Sequence, residues 1–173
     1  MRQIFKNKYI KAYKFLSVSE SDTFRNNQNV NAILKIDESY GDCFYSYVCH
    51  NSLTSEKEFA IFFSSDEKED KLNFMFWESA NLFVLDTGRN IYLLNGDLKI
   101  IKSLEIGTPL IGLYLTDEEN LVLLEEASYR LVNKRGEVHV NELFDLIENF
   151  SLSGSKLIIK TSEGNKIFEL TRT

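Results

Sequence analysis

Residues 81 to 106, NLFVLDTGRNIYLLNGDLKIIKSLEI, alternate short apolar runs with turn chemistry so regularly that they fit three β-strands and two tight turns. Asn95-Gly96 divides Ile91-Tyr92-Leu93-Leu94 from Leu98-Lys99-Ile100-Ile101. An Asn-Gly pair adopts two positive φ angles with little strain, so a two-residue hairpin is expected at that point. Upstream, Asp86-Thr87-Gly88-Arg89-Asn90 separates Leu82-Phe83-Val84-Leu85 from the second run. Downstream, Gly107-Thr108-Pro109 closes the third strand with the chain's single proline.

The same rhythm recurs. Asn120-Leu121-Val122-Leu123-Leu124 mirrors Asn81-Leu82-Phe83-Val84-Leu85 at an offset of 39 residues, and Arg135-Gly136-Glu137 mirrors Asn95-Gly96-Asp97 at 40. A truncated third copy runs from Lys156-Leu157-Ile158-Ile159, 36 residues beyond Leu121, through Glu163-Gly164-Asn165 to Leu170. A period of this length, built of strands and turns, marks four-stranded units stacked in series. Residues 81 to 173 resemble β-propeller blades in this rhythm, without the Gly-His and Trp-Asp signatures of one large propeller family, so the resemblance implies a fold and no function. The fold class expected is all-β: an antiparallel meander of short hairpins, either blade-like or merely evenly spaced, with at most one or two short helices.

A chain of 173 residues can bury a core without metals or disulfide staples, and the reading is one domain with three regions. These are a basic segment and loop at 1–29, aromatic hairpins at 30–80 and the repeated meander at 81–173. No stretch approaches the roughly 20 apolar residues of a membrane span. Cys43 and Cys49 lie on one face of one expected strand, about 20 Å apart, too far to bridge. Reduced thiols and a lysine-interrupted N-terminus lead to the expectation of a cytoplasmic protein.

Charge narrows the partner. The net charge is −6, yet residues 1 to 16 carry +5, which leaves −11 for the rest. An acidic body disfavours nucleic acid and favours a basic protein, whose approach complementary fields accelerate. The basic segment 1–16, which could serve a membrane surface or a nucleic acid, is expected instead to pack its aromatic face on the core, so no membrane partner is expected.

Along the chain, residues 1 to 16 place Phe5, Tyr9, Ala12, Tyr13 and Leu16 near helical spacing, with a strand as the other option. Ser17 to Asn29 reads as a polar loop. Val30 to Ile36 is expected to form a strand, ended by 37–41, with 42–50 as its hairpin partner. In that partner Cys43, Tyr45, Tyr47 and Cys49 share the core side. Glu58 to Phe63 and Leu72 to Trp77 read as a long aromatic hairpin with an acidic tip. Leu143, Leu146, Ile147 and Phe150 have helical spacing after Asn141, predicting a short helix or an irregular strand.

The motifs that announce catalysis are missing. The two histidines, His50 and His139, have no second ligand at metal spacing, and no glycine loop precedes a helix. Asp86 followed by Asp97-Leu98-Lys99 resembles the acid and acid-x-lysine of PD-(D/E)xK nucleases, and Glu69-Asp70-Lys71 repeats the tripeptide on a loop. The turn position of Asp97 and the all-β context depart from that family. The expectation is therefore a non-catalytic acidic protein-binding module without a cofactor. Its best-fitting role is that of a cognate inhibitor of the immunity type, neutralising a basic toxin or enzyme; the alternatives are a self-assembling β-scaffold or sensor and, after it, a metal-dependent nuclease. The contact candidates are Asp66, Glu67, Glu69 and Asp70 on one tip and Asp117, Glu118 and Glu119 on a second turn.

Overall fold

The computed structural model describes residues 2–5, 7–36, 41–68, 71–116, 119–153 and 156–170. It divides into two compact units, Met1–Glu105 and Ile106–Thr173. The chain is mostly β: four small sheets and one α-helix among the described residues.

The first unit opens with β1 (Arg2–Phe5) and β2 (Lys8–Phe15), an antiparallel pair. The helical spacing read into residues 1 to 16 therefore gives way to strand. In β2 Ile10 and Ala12 join one core cluster while Tyr13 joins another, the alternation of a strand covered on both faces. The helix comes next, α1 (Val18–Asn26), where a polar loop is expected. Its N-cap is Ser17, whose Oγ accepts from Glu20 N at 3.2 Å, while the Glu20 carboxylate accepts from Leu16 N at 3.0 Å. This is a capping box in slightly shifted form, and Ser17-Val18-Ser19-Glu20 is its sequence signature.

After α1 come β3 (Ala32–Lys35), β4 (Cys43–Asn51) and β5 (Lys57–Ser65), giving the sheet order β1-β2-β4-β5-β3. The expected β3–β4 hairpin does not form. Strand β4 is already flanked by β2 and β5, so β3 pairs in parallel with β5 at the sheet edge. The Tyr45, Tyr47 and Cys49 face of β4 is core, as expected, together with Phe59, Ile61 and Phe63 of β5. Behind it, Val48, Ala60 and Phe62 are covered by Tyr13, Val30 and Phe24 of α1. Cys43 and Cys49 are free thiols.

Both faces of β5 are thus buried, which explains its unbroken apolar run. The aromatic hairpin of 58–77 is corrected for the same reason: β5 belongs to the first sheet, whereas β6 (Phe74–Trp77) starts a second one. That sheet continues through a 3-10 turn at Glu78–Ala80 into β7 (Leu82–Asp86), β8 (Asn90–Leu94) and β9 (Ile100–Glu105), in simple meander order. The three strands expected over 81–106 are all present.

The second unit repeats the meander with β10 (Leu110–Leu115), β11 (Leu121–Glu125), β12 (Ser128–Val132) and β13 (Val138–Leu143), followed by the three-stranded β14 (Ile147–Ser153), β15 (Lys156–Thr161) and β16 (Gly164–Glu169). Its core joins Val122, Leu124, Tyr129 and Leu131 to Leu157, Ile159 and Leu170. Of the two options for residues 141 to 150 the strand holds, because Glu142 and Asn141 pair with Tyr129 and Arg130 of β12. Leu143 and Leu146, which a helix would have buried together, are 77% and 61% exposed.

The expected two-residue Asn-Gly turn is replaced by a longer loop. Asn95 Oδ1 accepts from Asp97 N at 3.0 Å and Lys99 N at 2.9 Å, and Leu98 takes the left-handed conformation at φ 60°. Asn133 does the same for Arg135 N and Glu137 N, with Gly136 left-handed at φ 76°. The true repeat here is Asn95 with Asn133, at an offset of 38 and not 40. Glu163 lies in the β15–β16 turn and Gly164 opens β16, one turn earlier in the repeat than the match to Arg135-Gly136-Glu137 implies. The Leu82-to-Leu121 alignment stands, since both residues open the second strand of their sheets.

Candidate functional site

A cleft of about 540 Å³ lies in the first unit, where the start of β3 and β5 meets one end of the β6–β9 sheet. Two turns of that sheet line the cleft. The β6–β7 turn contributes Glu78 and Asn81, and the β8–β9 loop contributes Gly96, Asp97 and Leu98. Lys8, Asn31, Ala32 and Glu58 also line it, and Phe59, Phe76 and Phe83, of which Phe59 and Phe83 are buried, form its aromatic floor.

The floor is rigid. Phe83 meets Phe59 edge-on at 5.1 Å between ring centroids, Phe76 at 5.0 Å and Phe74 in a stack at 5.7 Å. Such contacts add about 0.5–1.5 kcal/mol per pair beyond burial, so the rings hold their positions without a ligand. Two lining residues sit in the left-handed region, Asn81 at φ 53° and Leu98 at φ 60°. Asparagine tolerates that conformation, whereas for leucine it is a strain of about 1–2 kcal/mol. Burial of the Leu98 side chain to 4% exposure offsets it.

The charges of the cleft divide into two kinds. Glu58 is internally satisfied, since it pairs with Lys8 and accepts from Asn51 Nδ2 at 3.2 Å. Glu78 and Asp97 are exposed and have no cation among the described residues. Next to the Lys8–Glu58 pair lies Cys49, fully buried, whose thiol is pushed up to about 12 by burial and then by the Glu58 charge. It is a packing residue and holds its proton at neutral pH. His50, stacked on Tyr9 at 5.0 Å, is kept below its ordinary value first by burial and then by the charge on Lys11.

A smaller cavity of about 220 Å³ beneath α1 is lined by Asp22, Arg25, Lys35, Phe44, Phe62 and Phe63, among others. Its acid is neutralised within the wall, Arg25 lying 3.0 Å from Asp22.

The contact candidates read from the sequence are placed only in part. Asp66 accepts from Asp42 N at 3.2 Å and pairs with Arg89 at 3.3 Å, and Glu67 faces Lys71 at 3.9 Å. Glu119 pairs with Lys134 in the second unit. Glu69, Asp70, Asp117 and Glu118 lie outside the described residues. Asp97 was singled out only for the nuclease-like motif and Phe59 and Phe76 only as part of an aromatic hairpin, while Glu78 and Phe83 were not singled out. These residues are scattered from β5 to the β8–β9 loop, and only the topology brings them together.

The nuclease constellation does not assemble. Asp86 ends β7 opposite Ile91, at the start of β8, whereas Asp97 follows the end of β8, roughly 15 Å away along the strand. Asp86 is buried and accepts from Gly88 N at 2.8 Å and Asn73 Nδ2 at 3.0 Å. No cluster of metal-binding side chains occurs among the described residues.

No protein-family model matches the chain, and no curated protein matches it by sequence. Solved structures do match in shape. NirN, a dihydro-heme d1 dehydrogenase solved in complex with DHE, aligns over 74% of this chain with a TM-score of 0.51 and 13% identity. The likeness is one of fold. A protein of unknown function from Bacteroides caccae aligns over 74% at 0.45 and 7% identity, and BBS1N in complex with ARL6DN over 99% at 0.46 and 9%. The chain spans 32% of the NirN chain and 58% and 60% of the other two.

The architecture is therefore all-β and propeller-like, in agreement with the blade rhythm of residues 81 to 173. The expectation of a non-catalytic protein is corrected by the same comparison. NirN, which shares this fold over part of its length, is a dehydrogenase, so missing nucleophile and metal motifs are no ground for excluding catalysis. At 13% identity the activity itself does not carry over. Among the described residues no helix is long and apolar enough to cross a membrane.

Proposed function

We propose that this chain is a protein-binding module whose partner is basic. The observation that supports it is the cleft of the first unit, an aromatic floor beneath two carboxylates that the described part of the chain leaves without a counter-charge. Half of the other described acids, among them Glu58, Asp66, Glu119 and Glu125, have a cation within the chain, and the cleft places two of those that do not beside an aromatic surface. The overall charge of −6 adds long-range attraction for the same kind of partner.

Within that reading the finer assignment is a cytoplasmic cognate inhibitor that occupies the functional surface of a basic toxin or enzyme, as immunity proteins do. Affinity capture from the native host, followed by mass spectrometry and sizing of the complex, tests it. A single basic protein at fixed stoichiometry, whose activity falls when this chain is added, supports the inhibitor. A basic partner that keeps full activity removes the inhibitor and leaves the binding module. Recovery of acidic or neutral proteins alone removes the basic-partner reading.

A second reading has its own observation. The β14–β16 sheet lacks the fourth strand of the other two meanders, so among the described residues the outer edge of β16 is unpaired, with Ile167 64% exposed. Edge pairing between two copies would cover it. A dimer in the sizing experiment that dissociates on Ile167→Lys favours this scaffold reading, and a monomer at high concentration removes it.

A further inference from the structure

We propose that the cleft of the first unit receives the guanidinium of an arginine side chain carried by the partner, an assignment that rests on the basic-partner reading and names its point of contact. The cleft offers two chemistries at once. Its floor is Phe59, Phe76 and Phe83, and its rim carries Glu78 on one turn and Asp97 on another. A ligand must be apolar on its faces and a hydrogen-bond donor at its edge to use both.

Guanidinium has that division. Its planar faces are weakly hydrated and lie against aromatic rings, while its five N–H groups point outward in the plane towards carboxylates. An ammonium is hydrated on all sides and loses more on entering a phenylalanine-floored cleft. The amide side chains of Asn31 and Asn81, also in the lining, supply further acceptors at the rim. Lys8 does not oppose the cation, because its charge is already paired with Glu58. The volume of about 540 Å³ exceeds the needs of one side chain, so residues flanking the arginine also enter.

The test uses the isotope-labelled full chain titrated with N-acetyl-arginine-methylamide and, in parallel, N-acetyl-lysine-methylamide, followed by amide chemical shifts. The expected result is a saturable response at Asn31, Asn81, Gly96 and Asp97, with the arginine probe binding at least about fivefold more tightly. The double variant Glu78→Gln, Asp97→Asn weakens the arginine probe about tenfold or more while the rest of the spectrum stays in place. Both positions are exposed turn residues, and the substitutions keep their shape. Shifts scattered over acids outside the cleft, or an affinity unchanged by the double variant, overturn the assignment. Equal affinity for the two probes overturns its guanidinium part. A basic partner captured equally well by the double variant overturns the cleft and leaves the basic-partner reading intact. Arginine binding that survives every control, with no basic protein captured from the host, overturns the reading and leaves the cleft.

Discussion

The β6–β9 and β10–β13 sheets use the same two devices and stabilise them by opposite means. The last residue of the second strand is a buried acid in both, Asp86 in one and Glu125 in the other. Asp86 has only neutral donors, Asn73 Nδ2 and Gly88 N. Glu125 has the backbone N–H groups of Gly107 and Thr108 at 2.8 and 3.1 Å and also the guanidinium of Arg130, itself largely buried. The loop between the third and fourth strands is closed by Asn95 in one sheet and Asn133 in the other, with Leu98 and Gly136 at the left-handed position. Position in the repeat dictates the backbone, and the neighbours decide which side chain is tolerable there. The blades are thus alike in hydrogen bonding and unlike in what a substitution costs.

Removal of charge at the two acids separates the sheets most widely. Glu125→Gln leaves Arg130 without its counter-charge and is expected to destabilise the protein by about 3 kcal/mol, read from urea unfolding. A loss below about 1 kcal/mol would show that Arg130 finds solvent instead. Next in size is alanine at the left-handed positions. Leu98→Ala removes a core side chain and keeps the strain, for a loss of about 3 kcal/mol, whereas Gly136→Ala puts a Cβ on a left-handed backbone without emptying a core site, for a smaller loss of at least about 1 kcal/mol. Leu98→Gly relieves the strain and should be milder than Leu98→Ala by about 1 kcal/mol; the reverse order would mean that the backbone at this position is unstrained.

Asn95→Ala and Asn133→Ala each remove one oxygen that caps two amides, and both should lose about 1 kcal/mol. Values differing by more than that would break the equivalence of the loops. The smallest effect concerns Asp86, whose carboxyl is raised above the ordinary range by burial, against the pull of its donors. A carboxyl with a folded pKa above its unfolded one favours folding at acid pH, and that contribution is lost as pH rises through the folded value. The stability of wild type relative to Asp86→Asn should therefore fall as pH rises from about 4 and then level off. A difference that grows with pH would reverse the assignment.

The strands of 81–106 were legible because each lies between turn residues and because a meander needs only local pairing. The first sheet was not. Its partners are set by competition for β4, and no local feature of 30–50 announces that β2 will occupy the edge reserved in the reading for β3. The Ser17-x-x-Glu20 box was a visible signal for α1, hidden by the polar composition around it. At 141–150 a helical period of four residues lost to the pairing demand of β12, an example of tertiary context overriding spacing. The acidic tips were legible as composition, yet Asp66, Glu67 and Glu119 turn out to be engaged within the chain. The cleft was illegible because Glu78, Asp97 and its phenylalanines share no motif.

The parallel placement of β3 beside β5 also sets an order of events as the chain leaves the ribosome. Each meander strand after residue 74 finds its partner within about a dozen residues of its own end, so these sheets can close hairpin by hairpin in microseconds. By contrast β3 must wait until Phe59 to Phe62 have been made, and the connection between them runs through the whole of β4. Distant pairing slows folding, so the N-terminal sheet, although synthesised first, should be the last element to acquire protected amides. Until then the aromatic faces of β2 and α1 stay open to other nascent chains, and the chain's fastest route to aggregation runs through its first 60 residues.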